Sequence, residues 1–310
     1  MIRHKRADNK HHGFTYELRK NWMIYLMFLP VAIYYILFAY KPMYGALIAF
    51  QNYVPAKGIM GSDWVGFKHF TDFFTNFYFW RIMKNTLIIS GASIIYGFPA
   101  PIILALLMNE IRSNTFKRSV QTISYIPHFI SMVVVCGMIK TFTADNGLIT
   151  SMVVALGGEK ASLLTNAKAF VPIYVISSIW QEIGWGSIVY LAALTGINQE
   201  LYEAASIDGA NRWKQTLHVT LPGIAPTITI MLILRLGSVL NVGYEKIILL
   251  YNEMTRETAD VISSFVYRKG LLEANLSYST AVGLFNSVVN FGFIILSNAI
   301  SRKVSETSLW

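Results

Sequence analysis

Residues 203–222 read Glu203-Ala204-Ala205-Ser206-Ile207-Asp208-Gly209-Ala210-Asn211-Arg212-Trp213-Lys214-Gln215-Thr216-Leu217-His218-Val219-Thr220-Leu221-Pro222. They belong to a segment, 195–221, that lies between two long apolar runs. At 27 residues it is long for a connection between packed helices. Apolar and small residues at Leu201, Ala204, Ala205, Ile207, Gly209 and Ala210 recur at near-helical spacing. Two alanines followed by a glycine let another surface approach closely, and Trp213 and Leu217 are placed to anchor the segment back to its own chain. The spacing predicts a short docking helix rather than a plain linker.

The flanking sequence sets the solvent. Of 310 residues, 54% are hydrophobic and only 14% charged, with a mean hydropathy of +0.45. Soluble domains carry about 25% charged residues, so the composition excludes a soluble enzyme, and it excludes disorder, which needs low hydrophobicity and high charge. The single cysteine, Cys136, rules out an internal disulfide framework and a Cys-cluster zinc site, and it reads as a small core residue. The net charge of +9 is assigned to membrane topology rather than to nucleic acid.

A helix crossing a ~30 Å hydrocarbon core needs ~20 apolar residues. Uncharged or nearly uncharged runs cover 22–40, 85–109, 119–139, 169–199, 215–234 and 274–301, the fourth interrupted only by Glu182. They predict six spans, at about 22–48, 85–109, 119–142, 169–194, 222–246 and 279–301. The first run exceeds a signal-peptide core and is followed by Tyr40-Lys41-Pro42-Met43-Tyr44 instead of a small-residue cleavage site. It reads as a retained span extending toward Phe50 with a break at Pro42. With the N-terminus inside, the inner segments hold 13 Lys and Arg over 71 positions, and the outer ones 8 over 88. This bias places both termini, the basic tail 1–21 and the tail 302–310, in the cytoplasm. The aromatic stretch from Asp63 to Trp80 predicts an interfacial helix, and 250–278 another short outer one.

The spacing Glu203-Ala204-Ala205-x3-Gly209-x9-Val219-x-Leu221-Pro222 resembles the EAA loop of bacterial ABC-importer permeases, E-A-A-x3-G-x9-I-x-L-P, with Val219 in place of the usual isoleucine. Trp64-Val65-Gly66-Phe67-Lys68-His69-Phe70, Asn85-Thr86-Leu87, Ala105-Leu106-Leu107-Met108-Asn109 and Tyr125-Ile126-Pro127 are similar to the carbohydrate-uptake, maltose-type branch of that family. Leu29-Pro30 through Tyr40-Lys41-Pro42-Met43-Tyr44-Gly45 resembles the lipoprotein and polysaccharide-type permeases. The resemblance implies an all-α polytopic membrane protein of the type I ABC-importer permease fold. It implies that Glu203, Ala204, Ala205, Gly209, Leu221 and Pro222 form a coupling helix that docks on an ATPase. Pro222 is consistent with a helix start. The implied partners are a second homologous permease in a heterodimer, two ABC ATPase subunits, an extracytoplasmic solute-binding protein and membrane lipid, with no nucleic acid. The implied location is the bacterial plasma membrane.

The chain carries no G-x4-G-K-[ST]. Gly157-Gly158-Glu159-Lys160 lacks the loop and the hydroxyl that would reach phosphate and magnesium. It is therefore read as a transport subunit without catalytic residues. ATP and magnesium belong to the partner ATPases, and the chain binds no cofactor of its own. His128 and His11-His12 have no metal-ligand company, so no metal site is assigned.

Polar residues inside a span face a cavity or a partner. Ser178, Gln181, Glu182 and Trp185 fall on one face of the fourth span. A carboxylate, an amide, a hydroxyl and an indole suit a sugar, and maltose-type permeases place substrate contacts at the corresponding distance before the EAA loop. A polar helix–helix contact is the alternative. In the fifth span, Arg235, Ser238, Asn241, Tyr244 and Glu245 follow similar spacing. Arg235 is expected to pair Glu182 or Glu245, with an acidic sugar as the other possibility. Asn286 and Asn290, one turn apart, either line the same cavity or bond a neighbouring helix. The reading is a permease importing oligosaccharides or polysaccharide-derived sugars by alternating access. The rivals are a permease for a peptide or polyamine and a secondary transporter, the latter without the inverted repeats it would need.

Overall fold

A computed structural model describes residues 20–304 and 308–309. The basic tail before Lys20 and residues 305–307 and 310 of the C-terminal tail lie outside the described residues, and with them the expectations placed there.

The chain is almost entirely helical. Helix α1, Trp22–Phe50, is 29 residues long. A two-stranded antiparallel hairpin follows, β1 at Gln51–Asn52 and β2 at Asp63–Trp64, with Gln51 opposite Trp64. Then come α2 (Lys68–Phe74), α3 (Phe79–Glu110), α4 (Asn114–Phe129), α5 (Met132–Phe142) and α6 (Leu148–Ala155). The second half holds α7 (Phe170–Thr195), α8 (Gln199–Ile207), α9 (Arg212–Leu236), α10 (Tyr244–Leu250), α11 (Ile262–Tyr267) and α12 (Leu276–Val304). Among the described residues four helices, α1, α3, α9 and α12, are long and apolar enough to cross a membrane, and α4 with α5 makes a fifth if that bent pair is one span. Helix α7 has 26 residues, enough length to cross, but its middle is polar.

Three of the prolines inside helices each lie two residues beyond a wide π turn. The turns Tyr35–Tyr40, Ser93–Gly97 and Thr216–Thr220 precede Pro42, Pro99 and Pro222. A proline offers no N–H and its ring crowds the carbonyl four residues back. A π turn shifts the hydrogen bonds back by one residue: Lys41 N–H reaches Ile36 O, and Leu221 N–H reaches Thr216 O. The expected break at Pro42 is therefore absent, and α1 continues to Phe50. For the same reason Pro222 does not start a helix: α9 begins ten residues earlier, at Arg212.

Two expected spans are interrupted instead. The run 119–142 is bent by 100° between α4 and α5. Pro127 lies in a 3-10 turn over Ile126–Phe129, and Ser131 restarts the chain as an N-cap whose side chain accepts from Val134 N–H. The run 222–246 ends as a helix at Leu236 and resumes at Tyr244. At the break a β-carbon on Gly237 would overlap Ile294, so α12 approaches where only glycine fits.

The core gathers around α7. Phe170, Tyr174 and Val175 pack with Ile89 of α3, Val135 and Ile139 of α5, and Ile247 and Leu250 of α10. Toward its other end Tyr190 and Leu194 pack with Ile102, Ala105, Ile197 and Ile224. A third cluster joins Phe73 of α2 to Ile82, Leu240, Ile262, Phe265 and Tyr278. The expected helices in 63–80 and 250–278 are present as α2 and α11. The second is tied down by Asp260, which is 1% exposed and takes a two-pronged bond from Arg268 at 2.8 and 2.7 Å. Asn85 of α3 donates to the backbone oxygens of Glu257 and Asp260. By contrast the last turns of α1, Tyr44–Phe50, pack on α12, while its large apolar side chains from Trp22 to Tyr44 are largely exposed on the isolated chain.

Candidate functional site: a polar cavity and a docking helix

Glycine brings α4 against α7. A β-carbon on Gly184 would clash with the backbone oxygen of Ser124, so the two helices touch at that point. One turn further along α4, His128 lies over the polar face of α7. Its Nδ1 is 2.9 Å from Glu182 Oε2, and its ring stacks on the Trp185 indole at 4.6 Å with a 2° angle between planes. Phe129 meets the same indole edge-on at 5.5 Å.

Ser178 lies one turn before Glu182 and serves α10. It donates to Tyr174 O at 2.7 Å and accepts from Lys246 Nζ at 2.8 Å. Lys246 is 3% exposed and also reaches Tyr174 O at 3.4 Å, with its ammonium 5.2 Å from the Tyr174 ring centre. A buried ammonium needs such partners. Gln181 is buried beside them.

The α9–α10 break is held by α12. Asn290 accepts from Leu240 N–H at 3.0 Å through Oδ1, which leaves its Nδ2 to donate to Asn241 Oδ1 at 3.1 Å. Asn286 Nδ2 donates to the same oxygen at 2.8 Å. Of the two readings left open for Asn286 and Asn290, the structure shows the helix–helix bonding. Ser90 of α3 adds a bond to Val239 O.

These residues surround three adjoining cavities. The largest, about 450 Å³, is lined by Ser178, Glu182, Trp185, Tyr190, Met231 and Arg235 among others. A second of about 230 Å³ takes in Gln181, Glu182, Tyr244, Glu245 and Lys246. A third of about 90 Å³ is bounded by Ser90, Ser93, Arg235, Ser238 and Asn241. Tyr174 lines all three. Ser178, Gln181, Glu182, Trp185, Arg235, Asn241, Tyr244 and Glu245 are thus brought around three neighbouring pockets that share Tyr174. The expected ion pair of Arg235 is not made. Glu182 is bonded to His128, and among the described residues neither Glu182 nor Glu245 lies within 4.0 Å of the guanidinium. The sequence reading missed three members, His128, Lys246 and Tyr174. Lys246 carried a signal, a cation beside Glu245 at the head of an Ile- and Leu-rich run. His128 carried none, since its partner is 54 positions away.

The segment 199–215 folds as a helix, a tight turn and a helix. Asn198 caps α8 by accepting from Glu200 N–H at 3.0 Å. At the other end Gly209 has φ +73°, and the bonds Gly209 N–H to Ser206 O and Ala210 N–H to Ala205 O close the helix as a Schellman turn. A β-carbon on Gly209 would meet nothing within 4 Å, so within the chain it is the backbone conformation that needs glycine. Asn211 caps α9 by accepting from Lys214 N–H, and Gln215 Nε2 ties the turn by donating to Ser206 Oγ and Ala210 O.

Glu203, Ala204, Gly209 and Pro222 are exposed, with Ala205 and Leu221 half-buried. Leu201 and Ile207 are exposed as well, Ile207 at 87%. Trp213 and Leu217, expected as anchors, are also exposed. Tyr202 anchors the helix instead: it packs with Val219 in the α7–α9 cluster, and its hydroxyl is 3.0 Å from Thr220 Oγ1. Arg212 pairs Glu110 at the end of α3, at 2.6 Å.

Residues 97–306 match the family model for the inner membrane component of binding-protein-dependent transport systems. The chain belongs to that family. It is a multi-pass inner-membrane transport component, and the family is one of permease subunits rather than ATPases. Among curated proteins it is 45% identical over 294 residues to Protein LplB of Bacillus subtilis (strain 168), covering 94% of this chain and 92% of that one. It is 46% identical over 306 residues to the polygalacturonan/rhamnogalacturonan transport system permease protein YteP of the same organism, covering 96% and 95%. Among solved structures it is similar, with TM-score 0.87 and 44% identity over 96% of this chain and 99% of the other, to a chain of a bacterial alginate ABC transporter in complex with an alginate pentasaccharide-bound periplasmic protein. A second, with TM-score 0.86 and 45% identity over 94% and 99%, is from a bacterial ABC transporter that imports the acidic polysaccharide alginate.

Proposed function

We propose that this chain is one permease subunit of an ABC importer for oligosaccharides or polysaccharide-derived sugars. The observation that carries the reading is the group of neighbouring polar pockets along α7, α9 and α10. A sugar needs hydrogen-bonding partners for its hydroxyls and an aromatic face for its ring. Ser178, Gln181, Glu182, Asn241 and Glu245 supply the first, and Trp185 and Tyr244 the second. The transport of polygalacturonan, rhamnogalacturonan and alginate by similar proteins supports the same class.

The chain has no chemistry to perform. Its task is to let the cavity open to one side of the membrane and then the other. In this reading it spans the membrane six times, with both termini cytoplasmic. Glu203, Ala204, Ala205, Gly209, Leu221 and Pro222 form the contact with an ATPase subunit, which holds the ATP and magnesium. Helix α8 is well placed for that. It joins α7 to α9, the two helices that carry Glu182, Trp185 and Arg235, and Ile197 between α7 and α8 packs tightly on Gly223 of α9. A push on α8 therefore moves both walls of the cavity. ATP shifts the equilibrium because its bound form favours one arrangement of the ATPase pair. A second homologous permease, two ATPases and an extracytoplasmic binding protein complete the assembly, and the exposed apolar surface of α1 supports burial against that permease or lipid.

The test is uptake by proteoliposomes holding the whole assembly, with ATP inside and the binding protein outside, over a panel of oligosaccharides, short peptides and polyamines. Uptake of an oligosaccharide is expected, and Trp185→Ala should lower it about tenfold while the ATPase still co-purifies. Uptake confined to peptides or polyamines would overturn the reading, and wild-type uptake by Trp185→Ala would reduce the polar face to a packing seam.

A further inference from the structure

We propose that the Tyr202 hydroxyl is a positioning contact for transport: it braces the middle of α8 against α9, and without it ATP is hydrolysed with little sugar moved. The inference deepens the coupling role given to α8 and rests on it.

Of the nine residues of α8, only Tyr202 and Ala205 are not exposed. Tyr202 is the one large side chain among them that packs inward, on Val219. The two ends of α8 join the chain through short non-helical connections, Gly196-Ile197-Asn198 toward α7 and the turn at Gly209, φ +73°, toward α9. A few residues at the ends of an element are enough to act as a hinge. Held only at its ends, α8 could swing under load and leave α9 where it was. A tether from its middle removes that freedom.

Tyr202 supplies the tether. Its hydroxyl lies 3.0 Å from Thr220 Oγ1, and Thr220 is 4% exposed. The Thr220 hydroxyl in turn reaches back five residues, across the π turn, to Gln215 O at 3.4 Å. A hydroxyl has one hydrogen to give. With that of Thr220 directed at Gln215 O, Tyr202 donates its own to Thr220 Oγ1. The Gln215 side chain closes the figure from the other end, donating through Nε2 to Ser206 Oγ at 3.0 Å and Ala210 O at 3.1 Å. Helix α8, the Gly209 turn and the first turns of α9 thus form a triangle, with side-chain bonds at its apex through Gln215 and at its base through Tyr202. The apex alone would leave a hinge; apex and base together make one body. Because the π turn keeps α9 continuous past Pro222, a displacement of that body runs along the helix to Met231 and Arg235 on the cavity wall.

The experiment uses the complete permease–ATPase assembly in proteoliposomes with the binding protein outside. ATP hydrolysis is measured beside uptake of a radiolabelled mixture of neutral and acidic oligosaccharides of two to six units, and the readout is sugar imported per ATP. Tyr202→Phe keeps the ring and removes only the hydroxyl. Tyr202→Phe and Thr220→Val should each hold the ATPase and keep at least half of the stimulated hydrolysis, while sugar per ATP falls fivefold or more. The double variant should be no worse than either single one, since both remove the same bond, and Thr220→Ser should stay within about twofold of wild type. A wild-type ratio in either single variant would overturn the brace. So would a fall of hydrolysis and uptake in equal proportion, which marks a support of the fold and nothing more. Gly209→Leu, run beside them, separates the two readings: if it uncouples and Tyr202→Phe does not, α8 couples without the brace. Uptake of none of these sugars by wild type would contradict both.

Discussion

Single side chains in the cavity have partners that spacing does not reveal. Glu182 was expected near Arg235 and is bonded to His128. Lys246, the last residue of the expected span 222–246 and given no role by the sequence, clamps α10 to α7 through Ser178 and Tyr174. A hydrogen bond to a charged group contributes about 1.5–3 kcal/mol. A double-mutant cycle of Lys246→Met and Ser178→Ala, read by thermal unfolding of the detergent-purified assembly, should therefore show a coupling near 1–2 kcal/mol. Strictly additive losses would mean that the two side chains are only neighbours. At the outer segment, Asp260→Ala strands Arg268 in a largely buried site and should cost about 3 kcal/mol by the same measurement. A change below about 0.5 kcal/mol would show that water replaces the carboxylate. What the sequence did carry at this scale was the polar face of α7, because helical periodicity alone puts 178, 181, 182 and 185 together. Contacts between helices depend on crossing points such as Gly184 on Ser124, which periodicity does not encode.

Among the elements, α8 was the most legible and the interrupted helices the least. The small residues, the glycine and the position between two apolar runs specify a short helix, and α8 ends where Gly209 directs. Proline misled in both directions. Pro42 and Pro222 lie within continuous helices because a π turn precedes each, whereas the bend near Pro127 and the break after Leu236 come from a 3-10 turn, a serine cap and the approach of α12. Hydropathy sees a run and not its hydrogen-bond register. The left-handed φ at Gly209 yields a graded prediction. Asparagine tolerates that region and valine does not, with the penalty for ordinary residues near 1–2 kcal/mol. Gly209→Asn should keep more transport than Gly209→Val, measured as uptake at equal membrane expression. Equal loss in both would mean that closeness to the ATPase, rather than backbone conformation, is what requires glycine.

Over the whole molecule, two features must hold together: the arrangement of the chain across the membrane and the link from α8 to the cavity. With Cys136 replaced, single cysteines at the exposed positions Met60, Leu156, Met254 and Ile207 report the first. An impermeant thiol reagent should label Met60→Cys, Leu156→Cys and Met254→Cys in intact cells and spare Ile207→Cys, and labelling of the last would reverse the orientation. The link itself is legible only in three dimensions, where Ile197 and Tyr202 tie α8 to both cavity helices. The most direct test of it measures binding-protein-stimulated ATP hydrolysis and sugar uptake side by side in the same proteoliposomes, for wild type, Gly209→Leu and Glu203→Lys, with ATPase co-purification as the control. Insertion should be normal in all three, since no cavity helix is altered. The variants should either lose the ATPase or hydrolyse ATP with uptake reduced at least tenfold. Normal stimulation, normal co-purification and normal uptake in both variants would contradict a coupling role for α8.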